Sequence, residues 1–302
     1  MAFSSTRAMI GGGGGGGDPS KGIFGYGADG SANVSVTNLV STAGVVAIDT
    51  TGVGSARKGL AAAEYGTGKA IFGYGTTGSN ASMTNHVTTA GVVQADVTGV
   101  GTARQVLAAG AYNTGKALFA FGYTGSDTAV KNLVSTSGVV EADATGVGSP
   151  RRELACAEYN TGKAIFGYGN EGGSVVGMTN LVSTSGVVAA DVSVIGTSRS
   201  TLAAAAYGTG KAIFGYGTTG SNVSMTNHVT TSGVVQADVT GVGTARQWLA
   251  APEYGVGKAI FGYGTTGSNV SMTNHVGTNG VVEADTTGVG TGRRGLGAAA
   301  YG

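Results

Sequence analysis

Aspartate and arginine recur along this chain at an almost constant interval. Six aspartates are each followed eight residues later by an arginine. Guanidinium groups attract anions and form strong hydrogen bonds to carboxylates. The pattern predicts either a ring of ligand-binding arginines or pairs that join each arginine to its repeat's aspartate or to backbone carbonyls, holding neighbouring units together. The arginines are Arg57, Arg104, Arg151, Arg199, Arg246 and Arg293, and the aspartates are Asp49, Asp96, Asp143, Asp191, Asp238 and Asp285.

Histidine is the other side chain with metal-binding chemistry. His86, His228 and His275 occupy one repeat position, "TNHV", where the other repeats carry leucine. Repeats five and six are neighbours, but repeat two would lie across a ring from repeat five, so the three imidazoles cannot meet at one ion. The sequence also has no Ser-His-Asp, paired-carboxylate or zinc-type constellation outside the repeat. We therefore predict no metal, no cofactor and no enzymatic activity.

The elements that carry these residues repeat six times. The lysine that opens "KAIFGYG" stands at Lys21, Lys69, Lys116, Lys163, Lys211 and Lys258, in steps of 48, 47, 47, 48 and 47 residues. Repeats of this length indicate a propeller or an array. Within one unit, "STLAAAAY", "KAIFGY", "VSMTNHVT" and "VVQADV" are short runs bounded by Gly, Asn, Ser or Thr. These runs predict four strands, and no helical period is present.

Four strands in each of six units predict an all-β fold, a six-bladed β-propeller of four-stranded antiparallel blades. The small side chains of "LAAAAY" suit the innermost strand, where space is least, and the aromatic rings of "KAIFGYG" suit packing over glycines of the next blade. The chain begins with a second strand and stops after a first strand, so we expect residues 293–301 to close the ring against residues 21–50. The predicted domains are an arm at 1–18 and a propeller at 19–302.

The repeat resembles the kelch family. An apolar strand that ends in a glycine-rich pair, "IFGYG", is followed by a turn and by an arginine before the next inner strand, "GTAR". The resemblance covers residues 21–302 and implies the same closure of the ring by the terminal strand. The same family resemblance also makes a copper-radical oxidase conceivable, since Cys156 and twelve tyrosines are present. The histidines lie on an intermediate strand, away from the axis, which disfavours that activity.

Composition excludes several classes of protein. Seventeen basic and sixteen acidic residues leave a net charge of +1, so bulk electrostatics favours no nucleic-acid partner. The single cysteine cannot form an internal disulfide. No apolar run reaches the roughly 18 residues of a membrane helix, so we expect no membrane insertion. The first residues lack the apolar core of a signal peptide, and we expect export, if any, by another route such as release at lysis.

The amino-terminal arm holds seven consecutive glycines at residues 11–17. We expect the preceding "STRAMI" to anchor the chain to other subunits of a large assembly. Together with "KAIFGYG", "TGVGTAR" and "LAAAxYG", the arm resembles the repeat proteins of tailed-bacteriophage virions. The predicted anchor residues are Ser5, Thr6, Arg7, Met9 and Ile10.

These observations predict a non-enzymatic virion protein, a tail or capsid accessory component. Near-identical repeats produce a multivalent surface, and the propeller loops would present it to a host-surface glycan or protein. The alternative is a kelch-type interaction propeller or a lectin outside a virion, extracellular or cytoplasmic. Copy number in purified particles separates these two functions, and metal analysis tests the oxidase.

Overall fold

Every regular element of the described residues is a β-strand or a turn. The structure is a computed structural model that describes residues 20–194 and 196–302. Six small antiparallel sheets follow one another along the chain, each with an inner, a middle and an outer strand, and a seventh sheet pairs the short strands Asn170–Glu171 and Ser174–Val175. The predicted all-β class is confirmed. The described part of the chain has no helix of the length and apolarity that a membrane crossing requires.

The sheets are numbered by the repeat that supplies their middle strand. The middle strands are Lys21–Gly25, Lys69–Gly73, Lys116–Ala120, Lys163–Gly167, Lys211–Gly215 and Lys258–Gly262. The outer strands are Thr37–Val40, Thr84–Val87, Lys131–Val134, Met178–Val182, Thr226–Val229 and Thr273–Val276. The inner strands of sheets 2 to 6 and then 1 are Ala61–Tyr65, Ala108–Tyr112, Ala155–Tyr159, Ala203–Tyr207, Glu253–Tyr254 and Gly297–Tyr301.

The middle strands are buried on both faces because each lies between two neighbouring sheets. Phe72 is fully buried and its ring packs on Gly25 and Tyr26 of the preceding sheet, with the two aromatic centroids 5.2 Å apart. Gly73 repeats this arrangement, since a Cβ there would stand 2.6 Å from Cζ of Phe119. Aromatic rings packed on backbone glycines therefore fill the core between sheets, as the sequence predicts.

The two ends of the described chain meet in one sheet. The terminal strand Gly297–Tyr301 pairs antiparallel with Lys21–Gly25, in a register that places Ala299 opposite Ile23. The predicted pairing of the last segment with the first is confirmed. Sheet 6 contacts sheet 1 through Lys21–Gly25 and Glu253–Tyr254, so contacts between neighbouring sheets run through all six sheets and return to the first.

Backbone hydrogen bonds form a closed cycle where the inner strands begin. One residue per inner strand donates its N–H to the carbonyl of the equivalent residue on the preceding sheet, over 2.7 to 3.0 Å. We call these six residues the rim. The donors and acceptors are Val106 to Gly59, Glu153 to Val106, Thr201 to Glu153, Trp248 to Thr201, Gly295 to Trp248 and Gly59 to Gly295.

A second cycle closes at the other end of the inner strands, over 2.7 to 2.9 Å. Residues of all six inner strands line the space between the two cycles, which we call the channel. Because hydrogen bonds tie each sheet to both neighbours at each end, no inner strand stands at a free edge. The second cycle runs from Gly66 to Gly115, Asn113 to Gly162, Asn160 to Gly210, Gly208 to Gly257, Gly255 to Ser20 and Gly302 to Gly68.

The predicted fourth strand is regular only in sheet 4, where Val192–Ser193 pairs with the outer strand. In sheet 2 the segment touches the outer strand at two isolated bridges, Val93 with Val87 and Val97 with Thr84. Between the two bridges the segment therefore advances by four residues while the outer strand advances by three. One extra residue makes a β-bulge that interrupts the ladder. Sheet 4 has the same slip, between the bridges of Val182 with Val188 and of Thr179 with Val192, so the fourth segment lies beside the outer strand in every sheet but is a regular strand in sheet 4 alone.

Candidate functional site

The six arginines predicted to bind ligand are wholly buried in the seams between sheets. In Arg57, Nε donates to the carbonyl of Tyr74 at 2.8 Å, and Nη2 donates to Oδ1 of Asn85 at 2.7 Å. Its Cζ lies 4.4 Å from the ring centroid of Tyr26 on the preceding sheet. A guanidinium stacked on one sheet and hydrogen-bonded to the next joins the two. The other stacked pairs are Arg104–Tyr74, Arg151–Phe121, Arg199–Tyr168, Arg246–Tyr216 and Arg293–Tyr263.

The aspartates hold the loop that leads to each arginine. Asp96 Oδ1 lies 3.9 Å from Nη1 of Arg57, and Asp96 accepts hydrogen bonds from Ser55 Oγ at 2.7 Å and Asn85 Nδ2 at 2.8 Å. Partial burial alone would raise the pKa of Asp96, but the hydrogen bonds and the arginine charge hold this pKa below its ordinary value. The partner of Arg57 is thus the aspartate of the following repeat. The expected pairing within one repeat, with Asp49, is wrong because the arginine enters the next sheet.

The seam arginines have partners inside the protein at neutral pH. Burial lowers the pKa of Arg151 to about 10, which leaves the group protonated at pH 7. Its Nε donates to the Tyr168 carbonyl at 2.9 Å and its Nη2 to Asn180 Oδ1 at 2.6 Å. Internal pairing, one of the two roles that the sequence predicts, accounts for these contacts. Ligand binding by the six arginines stays a prediction.

The three histidines form hydrogen bonds with inner-strand tyrosines. His86 Nδ1 lies 2.7 Å from the Tyr65 hydroxyl, and the equivalent pairs are Tyr207–His228 and Tyr254–His275. Burial and then the charge of Lys69 lower the pKa of His86. The described residues contain no group of three His, Cys, Asp or Glu side chains arranged to hold a metal ion. The imidazoles pack between sheets, in agreement with a variable strand position.

Glutamate alternates with alanine along the end of the channel opposite the rim. The position before the inner-strand tyrosine faces a space lined mainly by alanines. The alternation of glutamate and alanine between successive repeats is visible in the sequence. It forms no motif, because each glutamate stands alone in its own repeat. In sheet order the six residues are Glu64, Ala111, Glu158, Ala206, Glu253 and Ala300.

These carboxylates influence one another electrostatically. Glu158 is 6% exposed, and its Oε1 accepts a hydrogen bond from the Gly162 N–H at 3.0 Å. Burial, then the negative charges of Glu253 and Glu64, raise the pKa of Glu158 well above its ordinary value. Burial raises the pKa of Glu253 to about 7. Both shifts favour the protonated forms of Glu158 and Glu253 relative to an exposed glutamate.

The rim is the most variable position of the repeat. Each rim residue lies between the seam arginine and a leucine that all six repeats share, yet it is glycine twice and valine, glutamate, threonine and tryptophan once each. The residue before it also varies, from lysine and glutamine to arginine and serine. The sequence displays this variation, but only the structure shows that these positions surround one end of the channel.

Side chains of sheets 3 and 4 form a polar group beside the rim. Arg152 Nη1 donates to Asp127 Oδ1 at 2.7 Å, and its Cζ lies 4.9 Å from the ring centroid of Tyr123. Asp127 also accepts a hydrogen bond from the Gly172 N–H at 2.8 Å. Tyr123, Asp127 and Gly172 belong to the loops "YTGSD" and "NEGGS", which differ from the "TTGSN" of sheets 2, 5 and 6, as does the "ADGSA" of sheet 1. Two of the three divergent loops thus lie in sheets 3 and 4, where the polar group is found.

The polar group continues around the rim toward Trp248. Glu153 Oε2 accepts a hydrogen bond from Ser200 Oγ at 3.0 Å, and Thr201 Oγ1 donates to Gln247 Oε1 at 3.1 Å. Trp248 is partly exposed next to them. One sector of an otherwise regular ring thus combines charged, hydroxyl, amide and aromatic groups. This combination can bind a ligand that is both polar and flat-sided.

The predicted anchor residues of the arm, Ser5 to Ile10, lie outside the described residues. Cys156 lies within them; burial raises the pKa of its thiol, and its Sγ fills the space that a Cβ on Gly110 would need. Comparisons with known protein families and with curated proteins give no match to this chain.

Proposed function

We propose that this protein is a closed six-bladed β-propeller that serves as a non-enzymatic structural and adhesive component of a phage virion. The two closed cycles of backbone hydrogen bonds carry the fold proposal, since six inner strands that each bind the next and return to the first form a wheel. The pairing of the terminal strand with the first middle strand supports the same closure. The kelch-like order of strand, turn and arginine agrees with it.

The adhesive role is supported by the division of the molecule into a regular and a varied part. Arginine seams, aromatic and glycine packing and hydrogen-bond cycles recur around the ring. Variation concentrates on the rim and the neighbouring loops, on one side of the ring. A rigid frame that positions varied loops is a common arrangement in binding proteins. In this proposal the arm at 1–18 attaches the propeller to other virion subunits, and the loops meet a host-surface glycan or protein.

Purified particles test the virion assignment. We expect the chain in particles of its source phage at a fixed copy number, and cryo-electron microscopy should show a six-bladed wheel at its position. A variant that lacks residues 1–17 should fold but be missing from particles. Normal incorporation of that variant would overturn the anchor, and particles without the chain would overturn the virion role.

A lectin outside a virion is the second candidate, and the varied rim favours it over other cellular functions. In that case the protein is found free and is retained on a sugar column. Fixed copy number in particles and retention on sugar columns therefore distinguish the two candidates.

A further inference from the structure

Four rim residues adopt a backbone conformation that their side chains disfavour. Val106, Glu153, Thr201 and Trp248 have φ angles of 51°, 60°, 54° and 57°. This left-handed region is unfavourable for residues with a Cβ, most of all for β-branched valine and threonine. Glycine occupies the two remaining rim positions at no such cost. The buried aromatics that follow the middle strands take the same region, at φ angles of 63–64°, because the core holds them there. At the rim, by contrast, glycine stands in two of the six repeats, so the backbone does not require the four side chains.

The rim encloses the mouth of the channel. A cavity of about 120 Å³ lies there, lined by inner-strand residues of sheets 1 to 5, by Ala250 and Ala251 of sheet 6, and by Glu153, Thr201 and Trp248. The indole extends over the neighbouring repeat, where its Cε3 is 3.9 Å from the Cβ position of Gly295. The two rim glycines keep this side of the mouth open. Glu153, Thr201 and Trp248 therefore follow one another on one side of the mouth, and leucines and alanines make up most of the remaining lining.

The polar side chains of the mouth suit hydroxyl groups. Glu153 and Thr201 line the cavity with Trp248, and Gln247 joins them through the hydrogen bond that its Oε1 accepts from the Thr201 hydroxyl. Glu153 accepts a hydrogen bond from Ser200 Oγ, and the Thr201 hydroxyl is shared between Gln247 Oε1 and the Ser200 carbonyl, which it meets at 2.7 Å. The two bonds between side chains can be exchanged for bonds to a ligand. A sugar ring matches this combination, because it has an apolar face of C–H groups and hydroxyl groups around its edge.

We propose that the channel mouth binds one saccharide unit, with the ring stacked on Trp248 and its hydroxyl groups bonded to Glu153, Thr201 and Gln247. The inference deepens the proposed function, on which it rests, by naming the ligand class and the site. The size of the cavity admits part of a single pyranose ring, so the remainder of a glycan extends into solvent across the loops of sheets 3 and 4.

Trp248 reports binding directly because it is the single tryptophan of the chain. The full chain is titrated with the methyl glycosides of glucose, galactose, mannose and N-acetylglucosamine while indole fluorescence is recorded. We expect at least one of the four sugars to change the emission in a saturable manner. Gln247→Ala should lower the affinity for that sugar about tenfold or more. Gln105→Ala is the matched control at the same repeat position of another sheet, and it should leave the affinity unchanged.

Isothermal calorimetry extends the test to Trp248→Ala, whose fold is checked by its thermal transition. Loss of sugar binding in a folded W248A protein supports the site. Failure of all four sugars, equal weakening by Gln247→Ala and Gln105→Ala, or binding of a peptide in place of sugar would overturn the inference. Particles that carry the chain and adhere to cells although no sugar binds would refute only this inference. Sugar binding by a chain that is absent from particles would refute only the virion role.

Discussion

The seam arginine and the rim lie side by side in every repeat, and they behave in opposite ways. The arginine is identical and wholly buried in all six repeats, whereas the rim residue two positions later takes five different identities. The arginine binds groups of two sheets, so any other side chain would leave buried partners unsatisfied. The rim contributes its backbone to the hydrogen-bond cycle, and its side chain projects at the channel mouth. Variation is tolerated where only the backbone is needed.

The largest difference between these regions should appear on substitution of adjacent residues. Arg246→Met leaves the carbonyl of Tyr263 and Oδ1 of Asn274 without their donors, which are now at 2.9 and 2.7 Å. We expect the free energy of unfolding to fall by about 3–5 kcal/mol. Gln247→Met, one residue later, should change it by less than about 1 kcal/mol. Urea unfolding measures both, and equal effects of the two variants would contradict a seam that stabilises the ring.

The end of the channel opposite the rim should give the next largest effect, which is a dependence of stability on pH. Glu253 has its pKa raised to about 7, so the folded state binds a proton more tightly than the unfolded chain, whose glutamate has its ordinary pKa of 4.5. The resulting stability is fully present below pH 4.5 and is lost as the pH rises through 7. Glu253→Gln should therefore raise the free energy of unfolding at pH 8 by about 2 kcal/mol and have little effect near pH 4.5.

Thermal unfolding of this variant between pH 4.5 and pH 8.5 measures the effect. Glu141→Gln, at an exposed position, is the control and should leave the pH dependence as in the parent protein. If Glu253→Gln raises the stability by the same amount at every pH, packing and not charge is responsible for the effect.

The repeated features of the fold were predictable from the sequence because the period shows them. The small inner strand and the aromatic–glycine packing follow from alternation within one repeat, the pairing of the terminal strand follows from the order of strands in the repeat, and the structure confirms all three. The bulge at Val93 to Val97 was not predictable, since a slip of one residue leaves no mark in strand composition. The pairing of Arg57 with Asp96 was missed because it depends on which sheet the crossing chain joins. The glutamate group and the rim were not predictable because their members stand in different repeats and meet only through contacts between sheets.

Glycine substitution on the rim should give the smallest effect, and it tests why side chains stand there at all. Val106 has a φ of 51°, and Gly59 and Gly295 take the equivalent positions at 62°. Val106→Gly removes the strain of a β-branched residue in the left-handed region at a smaller cost in backbone entropy, so we expect a gain of about 0.5 kcal/mol in urea unfolding. Val106→Ala keeps a Cβ at the same φ, so this control should bring no gain. A clear loss of stability in Val106→Gly would mean that the rim side chains support the fold, and the contrast between a stabilising seam and a rim free for binding would then fail.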